Sequence, residues 1–183
     1  MSVVIVGGGI GGLTLALLLH RAGIDCRVYE AATTLRPLGV GINILPHASR
    51  IFAELELDEA LAGVSILTSE AVFFNRFGQL IYREPLGRAA GYEHPQYSIH
   101  RGELQQVLLD AVNDRLGADA VMTGYQCVAI DEDSNGATAR FQDPVTGASM
   151  PSERAMRSSA AMDCIRPCAS SCIPARARRS TRA

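Results

Sequence analysis

The sequence predicts an α/β fold in which a parallel sheet with its crossover helix carries an attached antiparallel sheet. Three observations predict it. Residues 3–30 (VVIVGGGIGGLTLALLLHRAGIDCRVYE) supply strand, glycine turn, helix and strand in that order. Residues 67–84 gather alternating and aromatic side chains on either side of Gly78, the pattern of a β-hairpin. Residues 126–141 form a second hairpin around Asn135-Gly136, a strong turn signal.

The first stretch also carries chemistry. Residues 3–6 are β-branched throughout and stop at glycine, so they read as a strand buried on both faces, inside its sheet rather than at an edge. Gly7, Gly9 and Gly12 give G-x-G-x-x-G. The first permits a tight turn, the second lets backbone approach a pyrophosphate, and the third lets helix pack on strand. The N–H groups that open the helix attract the pyrophosphate. Glu30 closes the second strand, where a carboxylate accepts both hydroxyls of a ribose and repels a 2′-phosphate. A glycine motif alone is weak, but the ordered strand, helix, strand and acid point to a dinucleotide.

Length and composition set the bounds. The 183 residues suffice for one domain or a little more, and 48% hydrophobic with 20% charged residues describes a globular chain. No apolar run reaches the ~20 residues of a membrane helix. Residues 3–6 lack a basic flank, so no signal peptide is expected; the cytoplasm follows as the default compartment, with the five cysteines as thiols. Residues 151–183 hold seven arginines against two acids, 7 − 2 = +5, which leaves 10 − 17 = −7 for residues 1–150.

Taken in order, residues 31–41 read as a loop, 42–45 as a short strand, and Pro46 opens a helix with Ile51, Phe52 and Leu55 on its apolar face. A short helix over 59–62 is expected to stop at Gly63. Residues 97–100 read as a strand, and 103–116 as a helix with Leu104, Val107, Leu108, Ala111 and Val112 on one side. Arg101 then stands at a helix N-terminus, where the dipole disfavours a cation unless an anion is near. Residues 121–123 are a further strand. His47, one residue after Pro46, reads as a helix-end side chain rather than a base, and no catalytic residue is assigned. Cys164, Cys168 and Cys172 follow C-x3-C-x3-C, which matches no usual zinc spacing, so no metal site is expected.

The 3–30 block, GVGINI at 39–44 and QYSIHRGEL at 96–104 together resemble the single-component flavoprotein aromatic hydroxylases of the p-hydroxybenzoate hydroxylase type, nearest their phenazine-carboxylate monooxygenase branch. The resemblance covers residues 1 to about 154. It implies a glutathione-reductase-type, Rossmann-like FAD domain interleaved with a β-sheet substrate domain. Residues 1–66 would form the FAD-binding core and flavin-side segment, 67–100 part of the substrate sheet, and 101–150 an FAD-domain helix and hairpin. It implies that Gly7, Gly9 and Gly12 cradle the FAD pyrophosphate and Glu30 the adenosine ribose. Arg101 would meet the FAD phosphates, Gly41 and Ile42 would lie near the isoalloxazine, and Val128 would approach the adenine through its backbone. The implied chemistry is hydroxylation of an aromatic substrate with NAD(P)H and O2, without nucleic acid or membrane, and with no statement about oligomeric state. Two other readings stay open: a small NAD-binding dehydrogenase-like protein, against which the 67–84 hairpin and the 103–116 helix break βαβ order, and an interaction module using the basic tail.

The sequence departs from the family in its last stretch. A second motif, Asp-Gly followed by a His-Ser-x-x-Arg-like run, and a third, Gly-Asp, do not appear. Residues 151–183 read instead as an aberrant tail, expected to be disordered, and the chain as a C-terminally truncated, inactive fragment. The 17 arginines with no lysine point to a GC-rich gene. Joining the third base of each codon from Ala161 to Ala175 to the first two of the next allows Asp-Gly-Leu-His-Ser-Ala-Val-Arg-Lys-Gln-Leu-Tyr-Pro, the missing motif. Sequencing the gene is expected to show the homologous continuation in that other frame. A frame intact from Arg154 to Ala183, with no such continuation in another, would overturn this.

Overall fold

The computed structural model describes residues 2–36, 39–134 and 136–155; the expectations for the tail beyond Ala155 lie outside them. The described elements are β1 (Ser2–Val6), α1 (Ile10–Arg21), β2 (Asp25–Glu30), β3 (Gly41–Ile44), α2 (Pro46–Glu54), α3 (Asp58–Val64), β4 (Ser65–Thr68), β5 (Glu70–Phe74) and β6 (Leu80–Pro85). There follow β7 (Gln96–His100), α4 (Arg101–Leu116), β8 (Val121–Thr123), β9 (Gln126–Asp133), β10 (Gly136–Gln142) and β11 (Ser149–Ala155). The chain divides into two compact units, residues 1–35 with 110–183, and residues 36–109.

In the first unit β1, β2 and β8 run parallel in the order β1-β2-β8. Side chains alternate between the two faces of this sheet. Ile5 and Cys26 face α1: Ile5 lies beside Gly12, and the Cys26 thiol donates to the Ala16 carbonyl at 3.7 Å. The helix turns Leu13, Ala16 and Leu17 into that layer. On the opposite face Val4 and Tyr29 join Ala139, Phe141 and Ala155 of the antiparallel sheet β11-β10-β9 in one buried cluster. Residues 3–6 are apolar throughout because both faces of β1 are covered.

An aromatic triad closes this second layer. The Tyr29 and Phe141 rings stack with centroids 4.6 Å apart, and Tyr125 meets both edge-on. The Tyr29 hydroxyl lies near Glu153, which also faces Arg27 at 3.8 Å. Burial foremost, with Glu153 adding to it and Arg27 opposing it, pushes the phenol up to about 12.

In the second unit the antiparallel sheet β3-β7-β4 buries Ile44, Tyr97 and Ile99. Its helices bury Phe52 and Leu61, and Leu55 and Leu57 are buried between them. Ser49 is fully buried at no cost in unmade bonds, since its hydroxyl donates to the Pro95 carbonyl at 2.6 Å. β5 and β6 form a hairpin whose turn is held by Asn75 Oδ1, which accepts the N–H groups of Phe77 and Gln79. Phe73, Phe74, Phe77, Leu80 and Ile81 on this hairpin are exposed.

Four expectations are corrected. β1 is an end strand of its sheet among the described residues, because β2 pairs on one side only and no described strand pairs on the other. α3 runs through Gly63 to Val64: Gly63 keeps a helical backbone with open space around it. Residues 65–68 form β4, which pairs with β7 and is separate from the β5–β6 hairpin. β11 carries strand structure to Ala155, past the expected boundary at 150.

The Tyr29 phenol yields a test. Its pKa is raised on folding, so its contribution is complete below pH 10 and is lost as pH rises from 10 to 12, when the unfolded chain ionises first. A phenol raised from 10 to about 12 corresponds to on the order of 2–3 kcal/mol. Urea unfolding at stepped pH should show this alkaline loss in the parent and a flatter profile in Tyr29→Phe. Identical profiles would remove Tyr29 as the cause.

Candidate functional site

In the first unit the chain leaves β1 through Gly7, whose φ of 107° lies in the region that favours glycine and whose N–H donates to the Tyr29 carbonyl at 2.8 Å. Gly9 follows with extended backbone as the N-cap of α1, and no side chain caps the helix. There is no acidic residue in the first turn, so the dipole's positive end is not offset there. Gly12 has no room for a larger residue: a Cβ would stand 2.0 Å from the Gly7 carbonyl oxygen. The helix start therefore lies directly against the strand's exit.

Glu30 stands at the end of β2 beside this turn. Its Oε2 accepts the Gly8 N–H at 2.7 Å and its Oε1 the Ala32 N–H at 2.8 Å. A carboxylate has about four acceptor positions, so two remain for ribose hydroxyls. Gly7, Gly9, Gly12 and Glu30 are thus brought together, and an uncapped helix start beside a fixed carboxylate fits a dinucleotide's pyrophosphate and ribose.

Val128 lies in the same unit on β9, an end strand of its sheet among the described residues. Arg140 pairs with Ala129 and Phe141 with Cys127, so Val128 is the extra residue of a β-bulge, outside the ladder. The segment before it is anchored beside Glu30, since Tyr125 N–H donates to the Glu30 carbonyl at 2.9 Å and Gly124 N–H to that of Ala32 at 3.1 Å. Sequence reading gave no sign of this bulge. An odd spacing between inward-facing Cys127 and the Ala139 partner Ile130 is the signal that could have found it.

Gly41 and Ile42 lie in the second unit on β3, which among the described residues is an end strand paired with β7. They line a pocket of about 340 Å³. His100, another lining residue, was not singled out from the sequence. Its Nδ1 accepts the Gly102 N–H at 3.2 Å, which leaves Nε2–H to donate to the Gly39 carbonyl at 3.0 Å. The imidazole is thus the side-chain cap of α4 and a clamp on the 39–41 turn. Arg101, the first residue of α4, donates its N–H to the Val40 carbonyl, and its side chain packs on Gly39, whose φ of 143° only glycine adopts readily. The structure thereby groups Gly41, Ile42 and Arg101 in one unit, and the three glycines, Glu30 and Val128 in the other.

Residues 1–152 match the FAD binding domain family. The chain belongs to that family. Over 149 residues it is 46% identical to phenazine 1,6-dicarboxylic acid hydroxylase PhzS of Lysobacter antibioticus, covering 81% of this chain and 37% of that protein. It is 37% identical over 145 residues to 3-amino-4-hydroxybenzoate 2-monooxygenase PtmB3 of Streptomyces platensis, covering 77% of this chain and 35% of that protein. The R204Q form of Klebsiella pneumoniae HpxO complexed with FAD superposes with a TM-score of 0.68 at 27% identity, over 82% of this chain and 37% of that one. The chain is therefore similar to the N-terminal part of FAD-dependent aromatic hydroxylases and spans just over a third of the length of these relatives. FAD is the dinucleotide of the family, and the glycine turn with Glu30 fits it.

Replacing His100 by Ala is expected to cost about 1 kcal/mol in urea unfolding through loss of the α4 cap, with His100→Asn restoring most of it. Equal stability of parent and Ala variant would show that the cap contributes nothing.

Proposed function

We propose that this chain is the FAD-holding portion of a flavin-dependent monooxygenase that hydroxylates an aromatic acid with NAD(P)H and O2, in the cytoplasm. The observation that carries the reading is the Gly7–Gly12 turn packed against β1 with Glu30 fixed beside it. Gly7, Gly9 and Gly12 hold the pyrophosphate on the helix N-terminus, and Glu30 takes the adenosine ribose. Val128, bulged out of its ladder, offers backbone groups to the adenine. Arg101 opposes the charge of the phosphates. β3, paired on one side only among the described residues, places Gly41 and Ile42 at the edge of the flavin ring. Residues 67–100 contribute to the substrate side, and 101–150 return to the cofactor domain. When bound, FAD supplies the redox and oxygen chemistry, while these residues bind and orient it. The names of the relatives support an aromatic acid, such as a phenazine dicarboxylate, as the substrate class.

Isothermal titration of FAD and NAD side by side tests the reading. FAD is expected to bind at least tenfold more tightly, and Glu30→Ala to weaken it through loss of the ribose contact and of the bonds that fix Gly8 and Ala32. Tighter binding of NAD would favour a dehydrogenase-like domain and overturn the proposal.

A further inference from the structure

The pocket of the second unit contains a polar device that the flavin reading leaves unused. Asn43 on β3 pairs directly with Ser98 on β7, and both line the pocket. Ser98 Oγ lies 2.7 Å from Asn43 Oδ1 and 2.7 Å from Thr68 Oγ1 on β4. These are distances of O–H···O bonds. A serine hydroxyl has one proton. Ser98 donates it to Asn43, so Thr68 is the donor to Ser98, and the relay runs one way across three strands. It ends by fixing the Asn43 carbonyl inward, which turns the amide NH2 outward.

The other polar side chains of the pocket are already engaged. Ser65 donates to the Leu61 carbonyl at 2.6 Å, and both His100 nitrogens are bonded. Among the described residues the Asn43 NH2 has no acceptor, and the side chain is exposed. Ile66, on the same face as Asn43 and Ser98, and Val64 give the rest of the lining an apolar character. A shallow apolar surface with one oriented amide donor suits a flat ring carrying an oxygen acceptor at its edge.

We propose that Asn43, held by the Thr68–Ser98 relay, is a specificity-determining donor to a carbonyl or carboxylate oxygen of a planar aromatic ligand in this pocket. The ligand class rests on the monooxygenase reading; the donor geometry does not. Two sources share the chemistry, the flavin ring and an aromatic acid substrate. Lumiflavin, a flavin ring without phosphates, and phenazine 1,6-dicarboxylate separate them.

The test is fluorescence titration of the 183-residue chain and of Asn43→Asp with each ring, alongside FAD with the parent. Asn43→Asp keeps size and removes the donor, and Asn43→Leu replaces it if circular dichroism shows the first unfolded. A loss of at least tenfold for lumiflavin identifies the flavin as the source; the same loss for the phenazine alone identifies the substrate. Ser98→Ala, which frees the amide to turn, should weaken the same ligand about threefold. Variants that bind both rings within twofold of the parent, or a parent that binds neither, overturn the proposal. A parent that binds no FAD yet loses ring affinity on Asn43→Asp sinks the cofactor reading and leaves this one standing.

Discussion

At position 12 there is no space for even a methyl group, because the Gly7 carbonyl oxygen occupies it. This contact fixes how α1 meets β1, and much of the first unit depends on it. With helix and strand this close, the turn between them is compressed into Gly7, Gly8 and Gly9. The Gly8 N–H can then reach a carboxylate at the end of the neighbouring strand. Any larger residue at 12 must push back either a helix that buries Leu13 and Leu17 or a strand that buries Ile5. The parallel sheet is held equally firmly from its other face by the ring stack of Tyr29 and Phe141. The glycine turn is loose in sequence, yet sits between two packed layers.

Glu30 illustrates a general point about such sites. Its carboxylate organises backbone on both sides, Gly8 before α1 and Ala32 after β2, while its own carbonyl receives Tyr125 from the connection between β8 and β9. One residue therefore ties three chain segments together by backbone bonds and still has acceptor capacity for a ligand. The second unit uses a similar economy at His100, where one neutral ring caps a helix and holds a turn. Binding groups that are already bonded to the scaffold lose little freedom when a ligand arrives.

The elements legible in the sequence were those with a local cause. The glycine motif, the stripe of Leu104, Leu108 and Val112, and the Gly136 turn each follow from neighbouring residues, and all stand where the pattern puts them. What escaped reading depends on partners distant in the chain. β4 has four residues, two of them apolar and exposed, and is a strand only because β7 lies beside it. β11 has Pro151 and mostly polar, exposed residues, so no alternation announces it; its inward Ala155 matters only against Val4 and Tyr29. His100 carries no sequence signal of its role, because a cap by imidazole is uncommon. β1 was expected inside its sheet from its apolar run, yet that run reports coverage of faces and says nothing about edges.

The extra residue in β9 has a consequence for how this chain tolerates change in length. Cys127 and Ile130 are three apart on β9, but their partners Phe141 and Ala139 are two apart on β10. The two strands thus differ in parity across this interval, and Val128 absorbs the difference. Deleting one residue here would restore ordinary alternation and return backbone groups to the ladder, with every inward side chain kept on its own face. Deleting one residue anywhere else along β9 or β10 would reverse inside and outside for the rest of the strand. Along β9 the bulge is therefore where a length change is harmless to the core, just as the β10–β11 ladder has its own slack where Glu153 and Met150, three apart, face Ala139 and Phe141, two apart.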